Sequence, residues 1–378
     1  MHLIVGSRGA VPGRRSGAIA LVVAGAIALT ASPSSITTLA ADVSPSPTVA
    51  QDPHPTSLTL LTHDSFALSP DVLQTFEQTQ GVTLQVLTLG DAGAMVNQAI
   101  LTKGNPLADV LYGVDTTFLS RALDAGIFEP YRSPALEGVP ESLRLAADDR
   151  VTPIDFGDVC LNTDLAAFTG GTVAAPQHLE DLIKPEYAGM LAVENPATSS
   201  PGLSFLLATI DRFGEAGDYT WHDYWRDLRA DDVSVSAGWE DAYYGKFSGG
   251  SGEGDRPIVV SYASSPAAEV YYADPQPTQA PTGVVLDGCF RSVEYAAVLA
   301  GTHKTALARA LVDFLISAPV QEDIPLNMFV FPALSAATLP EVFTRFAQVP
   351  PTTLSMAPAR IDANRDRWIG EWTDIVLR

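Results

Sequence analysis

Two periodicities run along the chain. Short apolar runs at 58–62, 84–89, 109–113, 159–162, 190–193 and 258–262 predict strands. Between and after them, helical spacing of apolar positions predicts helices over 70–79, 94–102, 117–125, 201–213, 219–229 and 305–316, with a further helix over 357–376. Alternation of this kind predicts α/β layers around largely parallel strands. No internal repeat is evident, and "SGGSGEGDR" (248–256) reads as a loop.

Several predicted helices begin in the same way. Ser69-Pro70, Ser200-Pro201 and Ser265-Pro266 each place a hydroxyl ahead of a proline, so the serine is expected to cap the first free amides and the proline to fill the first turn. Asp91 stands in the same position after the second strand. One such start is a helix cap and nothing more. In open α/β sheets, however, strand carboxyl ends and helix N-termini face one crevice. Four starts therefore imply a cleft lined by hydroxyls, amides and a carboxylate, groups that hold anions and polar ligand atoms. The stretch "NPATSSPGLSFLL" (195–207) is the fullest example.

Composition narrows the class. The chain has 378 residues, 46% hydrophobic and 17% charged, which suits a globular protein of two domains or one bilobed unit. The net charge of −22 argues against a nucleic-acid partner, which would need a basic stripe. It favours solubility and would draw in a cationic ligand. Arg8, Arg14 and Arg15 precede an apolar run over 17–31, and small residues follow up to Ala40-Ala41. This is the pattern of an export signal, expected over 1–41, and the run is too short for a membrane span. Residues 42–56 are rich in proline and serine and read as a linker. The chain carries two cysteines, Cys160 and Cys289. In an oxidising compartment the pair is either one disulfide or two buried thiols, and export favours the bridge.

Catalytic patterns are missing from the sequence. There is no Gly-x-Ser-x-Gly elbow, no phosphate loop and no dinucleotide fingerprint. The six histidines lack ligand spacing, so no metal and no cofactor is expected. Aromatic residues say more. Trp239 follows a turn-forming glycine, Tyr262 ends an apolar strand, and Phe329 lies in "NMFVFPA". Each alone reads as core packing. Converging with Asp91, they would suit a flat cation held by stacking and charge.

A set of segments carries a family likeness: "LTHDSFA" (61–67), "GDAGAMVNQ" (90–98), "ADVLYGVD" (108–115), "PIDFGDVCLNTD" (153–164), "PATSSPGLSFLL" (196–207), "GWEDAYYGKF" (238–247), "VVSYASSPA" (259–267) and "RDRWIGEWT" (365–373). In this order they resemble the thiamine-binding proteins of ABC importers, within the type II periplasmic-binding-protein class. The resemblance implies a two-lobed α/β fold with mixed, mostly parallel sheets and a hinge. It implies lobe 1 over 57–162 and 288–378 and lobe 2 over 163–287. It also implies an exported, monomeric, non-catalytic protein that passes a small ligand to a membrane ABC permease, in the periplasm or on the outer face of the membrane. The ligand residues it implies are His63, Asp64, Asp91, Ser199, Ser200, Trp239, Tyr262 and Phe329, with Asp91 on an aminopyrimidine and the two serines at the ligand's polar end. Cys160 and Cys289 would then lie near the two crossover strands.

The match departs from the family at two places. His63 stands where some relatives have tyrosine, and Ala268-Glu269 where relatives can carry an aromatic. Thiamine, a phosphorylated form and a related pyrimidine thus all remain candidate ligands. A ferric-ion-binding protein of the same class is the alternative, with Tyr243-Tyr244 and Tyr271-Tyr272 as candidate ligands. A secreted hydrolase is the alternative of a different class.

Overall fold

Residues 56–378, apart from 145, 147 and 148, are described by a computed structural model. The expected export signal and all of the linker but its last residue lie outside the described residues. The strands are β1 (Thr56–Thr62), β2 (Val82–Thr88), β3 (Val110–Asp115), β4 (Thr152–Asp164), β5 (Leu191–Glu194), β6 (Ser234–Ser236), β7 (Ile258–Tyr262), β8 (Thr282–Val298) and β9 (Phe331–Pro332). The helices are α1 (Pro70–Gln80), α2 (Ala92–Leu101), α3 (Leu119–Ala125), α4 (Leu165–Phe168), α5 (Ser200–Phe213), α6 (Trp221–Ala230), α7 (Ser265–Tyr272), α8 (Thr305–Leu315), α9 (Ala318–Asn327), α10 (Glu341–Phe346) and α11 (Pro358–Val376). No helix among the described residues is long and apolar enough to cross a membrane.

The sheet order is β2-β1-β3-β8-β4-β7-β5-β6, with β9 added to β4. Its two ends are parallel, as alternating strands and helices predict: β1 pairs in parallel with β2 and β3, and β5 with β6 and β7. The middle is not. β4 and β8, of 13 and 17 residues, run antiparallel to each other and join the two ends. The result is a two-lobed α/β fold with a pair of long crossover strands between the lobes. β3 is buried at every position, as expected of a strand covered on both faces, whereas the outer β2 alternates with solvent.

The crossover is fastened twice. Cys160 on β4 and Cys289 on β8 form a disulfide with Cα atoms 4.4 Å apart. Beside it, Arg291 donates Nε and Nη2 to the two oxygens of Asp158, each at 2.8 Å, and its guanidinium lies 4.8 Å from the Phe156 ring centroid. A bidentate pair with the carboxylate fully covered has more geometric definition than an exposed one.

Strand β8 has no counterpart among the predicted strands. Asp287-Gly288 reads locally as a turn, and Gly288 does adopt φ 79°. The strand runs on past it because β4 pairs with β8 on either side of the interruption, at 282–285 and again from Phe290, with a register shift between. Helix α9 also has no counterpart among the predicted helices; it carries Pro319 in its first turn and Pro325 inside it.

The three Ser-Pro starts differ from expectation in one respect. Proline occupies the first turn of α1, α5 and α7, but no serine side chain caps them. The Ser69 hydroxyl donates instead to Asp323 at 2.6 Å, and the Ser265 hydroxyl pairs with that of Ser261 at 2.9 Å. A carboxylate from a distant helix is a stronger acceptor than the local amide is a donor. Only Asp91 of the four caps as read, taking the Ala92 N–H at 2.6 Å.

Helix α11 binds the far side of the molecule together. Trp368 and Trp372, one turn apart, are fully buried, and Trp372 meets Trp225 of α6 edge-on at 5.5 Å. α6 itself begins with a reciprocal Thr220/Asp223 capping box.

Candidate functional site

A cavity of about 270 Å³ lies between the β1–β3 end and the β5–β7 end of the sheet. Most of its walls come from element ends, where α/β sheets expose their loops. His63, Asp64 and Phe66 follow β1. Asp91 and Ala92 open α2, and Ser200 and Pro201 open α5. Trp239 and Glu240 follow β6, Tyr262 closes β7, and Glu294 projects from β8.

Asp91 is the centre of this arrangement. Its Oδ1 accepts N–H groups from Ala92 at 2.6 Å and from Ser200 at 3.2 Å, and its Oδ2 accepts the N–H of Trp239 at 3.0 Å. One carboxylate thus ties α2 to the start of α5 and to the segment after β6. Two further contacts cross the cavity in the same sense. Ala94 N–H donates to the Thr198 carbonyl at 3.2 Å, and the Ser65 hydroxyl donates to Glu240 at 3.1 Å. Burial pushes the Asp91 carboxyl above its ordinary range, and the Trp239 N–H, the Ser199 hydroxyl, the His63 charge and the Ser200 N–H oppose that rise without cancelling it.

On the floor, His63 Nε2 lies 3.4 Å from Glu294 Oε2, an ion-pair distance without good hydrogen-bond alignment. Burial works against the imidazolium, yet Glu294, helped by Asp91 and Asp64, holds the His63 pKa above 6.5. Behind this pair Tyr112 donates its hydroxyl to Asp155. Burial and the neighbouring Glu294 hold the Asp155 carboxyl well above its usual range. At the rim, burial and then Asp64 raise the Glu240 carboxyl, opposed in part by the Ser65 hydroxyl.

The walls are aromatic. Trp239 stacks on Tyr243 at 5.0 Å and 22°, with Tyr262 at 6.5 Å. Its indole N–H donates to Ser261 at 2.9 Å, which fixes the ring. Phe329, also on the cavity lining, packs against Tyr272 at 5.5 Å. Phe329 has φ 53°, a costly left-handed conformation for a bulky residue, held by its surroundings at the cavity edge.

Of the residues expected at a ligand, His63, Asp64, Asp91, Ser200, Trp239, Tyr262 and Phe329 all line this cavity. Ser199 does not; it is fully buried at the start of α5. Asp91 faces the cavity with both oxygens already engaged by amides, so the aminopyrimidine role leaves it only its remaining lone pairs. Sequence reasoning missed Glu240 and Glu294. A glutamate inside the apolar run of β8 was the available signal for Glu294, since a buried charge needs a reason. Tyr243, Tyr244 and Tyr272, from both tyrosine pairs, line the same cavity. The Tyr243 hydroxyl is committed to Glu269 at 2.8 Å, and burial with Glu269 pushes its pKa well above the usual value. Among the described residues no group of three or more His, Cys, Asp or Glu side chains is arranged to hold a metal ion.

Comparison with known proteins follows this geometry. Residues 105–345 match the family described as bacterial extracellular solute-binding protein. The chain is 29% identical to the thiamine-binding periplasmic protein of Escherichia coli strain K12 over 326 residues, covering 85% of this chain and 94% of that one. A solved structure described as a periplasmic thiamin binding protein superposes with a TM-score of 0.75 at 28% identity, over 85% of this chain and 96% of its own. The iron-bound HitA of Pseudomonas aeruginosa has the same fold, with a TM-score of 0.66 at 18% identity, over 85% of this chain and 99% of its own.

Proposed function

The chain belongs to the bacterial extracellular solute-binding protein family, and on that premise we propose that it captures thiamine between its lobes outside the cytoplasm and delivers it to a membrane ABC permease. The lobes of this reading are 57–162 with 288–378, and 163–287. Helix α11 belongs to the first by chain order and reaches α6 of the second. The binding residues of this reading are His63, Asp64, Asp91, Ser200, Trp239, Tyr262 and Phe329, with the buried Ser199 hydroxyl beside Asp91. The protein works as a monomer and performs capture and release, not catalysis.

One observation carries the reading. The same cavity is lined by the aromatic rings of Trp239, Tyr262 and Phe329 and by the carboxylates of Asp64, Asp91, Glu240 and Glu294. A planar ring with a fixed positive charge fits that combination, because a cation over an aromatic face is stabilised by about 2 kcal/mol or more once desolvated. The thiamine-binding relatives support the same ligand. Ferric iron prefers anionic oxygen ligands, and the Tyr243 phenol is held protonated beside Glu269.

Native mass spectrometry of the exported protein, followed by calorimetry with thiamine, tests the reading. A co-purifying mass equal to thiamine, or saturable one-to-one binding, is expected. Failure of thiamine to bind, together with a visible charge-transfer band on adding ferric iron, would replace it.

A further inference from the structure

Two of the cavity's aromatic residues are seated on one short stretch of the crossover. From Asp155 to Val159, β4 pairs with β8 in unbroken antiparallel register, with Gly157 opposite Ser292 and Asp158 opposite Arg291. The Asp158–Arg291 ion pair fixes the same stretch through side chains. The backbone here has little freedom to give way. On the other edge of β4, Phe331 of β9 pairs with Phe156 and stacks on its ring at 5.4 Å and 17°. Phe329, on the cavity lining, stands two residues before Phe331.

Gly157 is buried and is not part of the cavity lining. Its φ is not positive, so backbone conformation does not demand a glycine there. The Tyr262 ring does. A Cβ at position 157 would lie 2.6 Å from Tyr262 Cδ1 and 2.9 Å from Cε1, closer than packed carbon atoms approach, with Val330 Cγ1 at an ordinary 3.5 Å. Tyr262 pairs with Val159 at the end of β7, and its ring reaches past that partner to rest on Gly157. The same ring lines the cavity. Interiors are close-packed, so a ring lifted off β4 has the cavity to move into.

Resting on the thiamine reading, we infer that Gly157 is a positioning residue for the ligand. By lacking a side chain it lets Tyr262 rest on the crossover strand and keeps open the space that the ligand fills. The adjacent Phe156 anchors, through Phe331, the segment that carries Phe329. Successive positions of β4 thus place two of the aromatic residues of the binding site without touching the ligand.

The experiment is a double-mutant cycle on the exported protein at pH 7.5, read by calorimetry with thiamine and by melting temperature. Gly157→Ala should bind roughly tenfold or more weakly than the parent and melt within about 10 °C of it, because the ring yields and the strand does not. In a Tyr262→Ala background the added methyl meets no ring. There Gly157→Ala should change affinity by less than about twofold and leave the melting temperature unchanged. General loosening of the strand would instead cost the same in both backgrounds, in either readout, and would overturn the inference. So would Gly157→Ala binding within about twofold of a parent that binds thiamine, or failing to fold. Thiamine failing to bind the parent would overturn the thiamine reading itself, and this inference with it.

Discussion

Asp91 performs two tasks with one carboxylate. As the cap of α2 it satisfies a local orphan amide, and through Ser200 and Trp239 it holds the opposite side of the cavity. Asparagine would keep one acceptor and place a donor against an N–H. Hydrogen bonds to a charged group contribute about 1.5–3 kcal/mol each, so Asp91→Asn should weaken thiamine binding at least tenfold. Asp231→Asn, at the C-cap of α6 far from the cavity, should leave it within twofold. Calorimetry giving equal affinities for the two variants would remove Asp91 from the closing mechanism. Glu194, 1% exposed at the end of β5, poses a different residue-level question. Burial, then the charge of Asp91, pushes its carboxyl well above the ordinary 4.5. The folded chain therefore holds that proton more tightly than the unfolded chain. Its contribution to stability is complete below pH 4.5 and declines as pH rises toward the raised folded value. The uncharged Glu194→Gln should thus gain melting temperature over the parent at pH 8, and gain less at pH 5. An identical difference at the two pH values would show that Glu194 ionises normally in the folded protein.

At the scale of elements, the first turn of α2 is the closest approach between the two sides. A Cβ on Gly93 would lie 2.8 Å from the Thr198 carbonyl carbon and oxygen and 2.6 Å from the Phe118 ring. Phe118 is a side chain and can shift. The 195–199 turn is backbone, anchored by the Thr198 hydroxyl on the Ala237 carbonyl at 2.6 Å. Gly93→Ala should therefore hinder closure more than folding. A loss of roughly tenfold or more in thiamine affinity is expected, with a fall in unfolding free energy of no more than about 1–3 kcal/mol from overpacking. Wild-type affinity in this variant would mean that α2 does not move against the turn when ligand binds.

Across the whole molecule, β4 and β8 join the lobes, the Cys160–Cys289 bridge and the Asp158–Arg291 pair stiffen that crossover, and α11 adds a buried contact to α6 through Trp372 and Trp225. Contacts across the cavity comprise the polar set about Asp91 and Glu240 and, at its edge, the apolar packing of Phe329 and Phe343 against α7. A ligand that touches His63 on one side and Trp239 on the other favours the closed form in proportion to its differential affinity. Trp239 also reports on it. The other tryptophans, Trp221, Trp225, Trp368 and Trp372, are fully buried in and around α6 and α11. Thiamine should quench the fluorescence of the native protein, quench Trp239→Phe far less, and reduce the radius of gyration seen by small-angle scattering. Tight binding with no change in either signal would rule out closure about the crossover strands.

The sequence by itself determined what is local. Ile258–Tyr262 reads as a strand and forms one between the same residues, and Pro70–Gln80 and Pro358–Val376 follow their periodicity to within a residue or so, because period and proline placement are set within one turn of chain. The cysteine pair followed from export chemistry. The order of short segments was enough to bring His63, Asp91, Trp239, Tyr262 and Phe329 to a single cavity. Tertiary structure decided the rest. β8 exists as one strand because β4 pairs with it both before and after its Asp287-Gly288 interruption. The Ser69 and Ser265 hydroxyls abandon their helix ends for Asp323 and Ser261. Asp91 becomes a bridge only when residues 109 and 148 positions away arrive beside it. Glu294 becomes part of the cavity lining only when His63 packs over it. Local propensity is worth tenths of a kilocalorie per residue, whereas a buried carboxylate left without donors costs several. The fold therefore places its charged groups by long-range pairing, which no window of sequence contains.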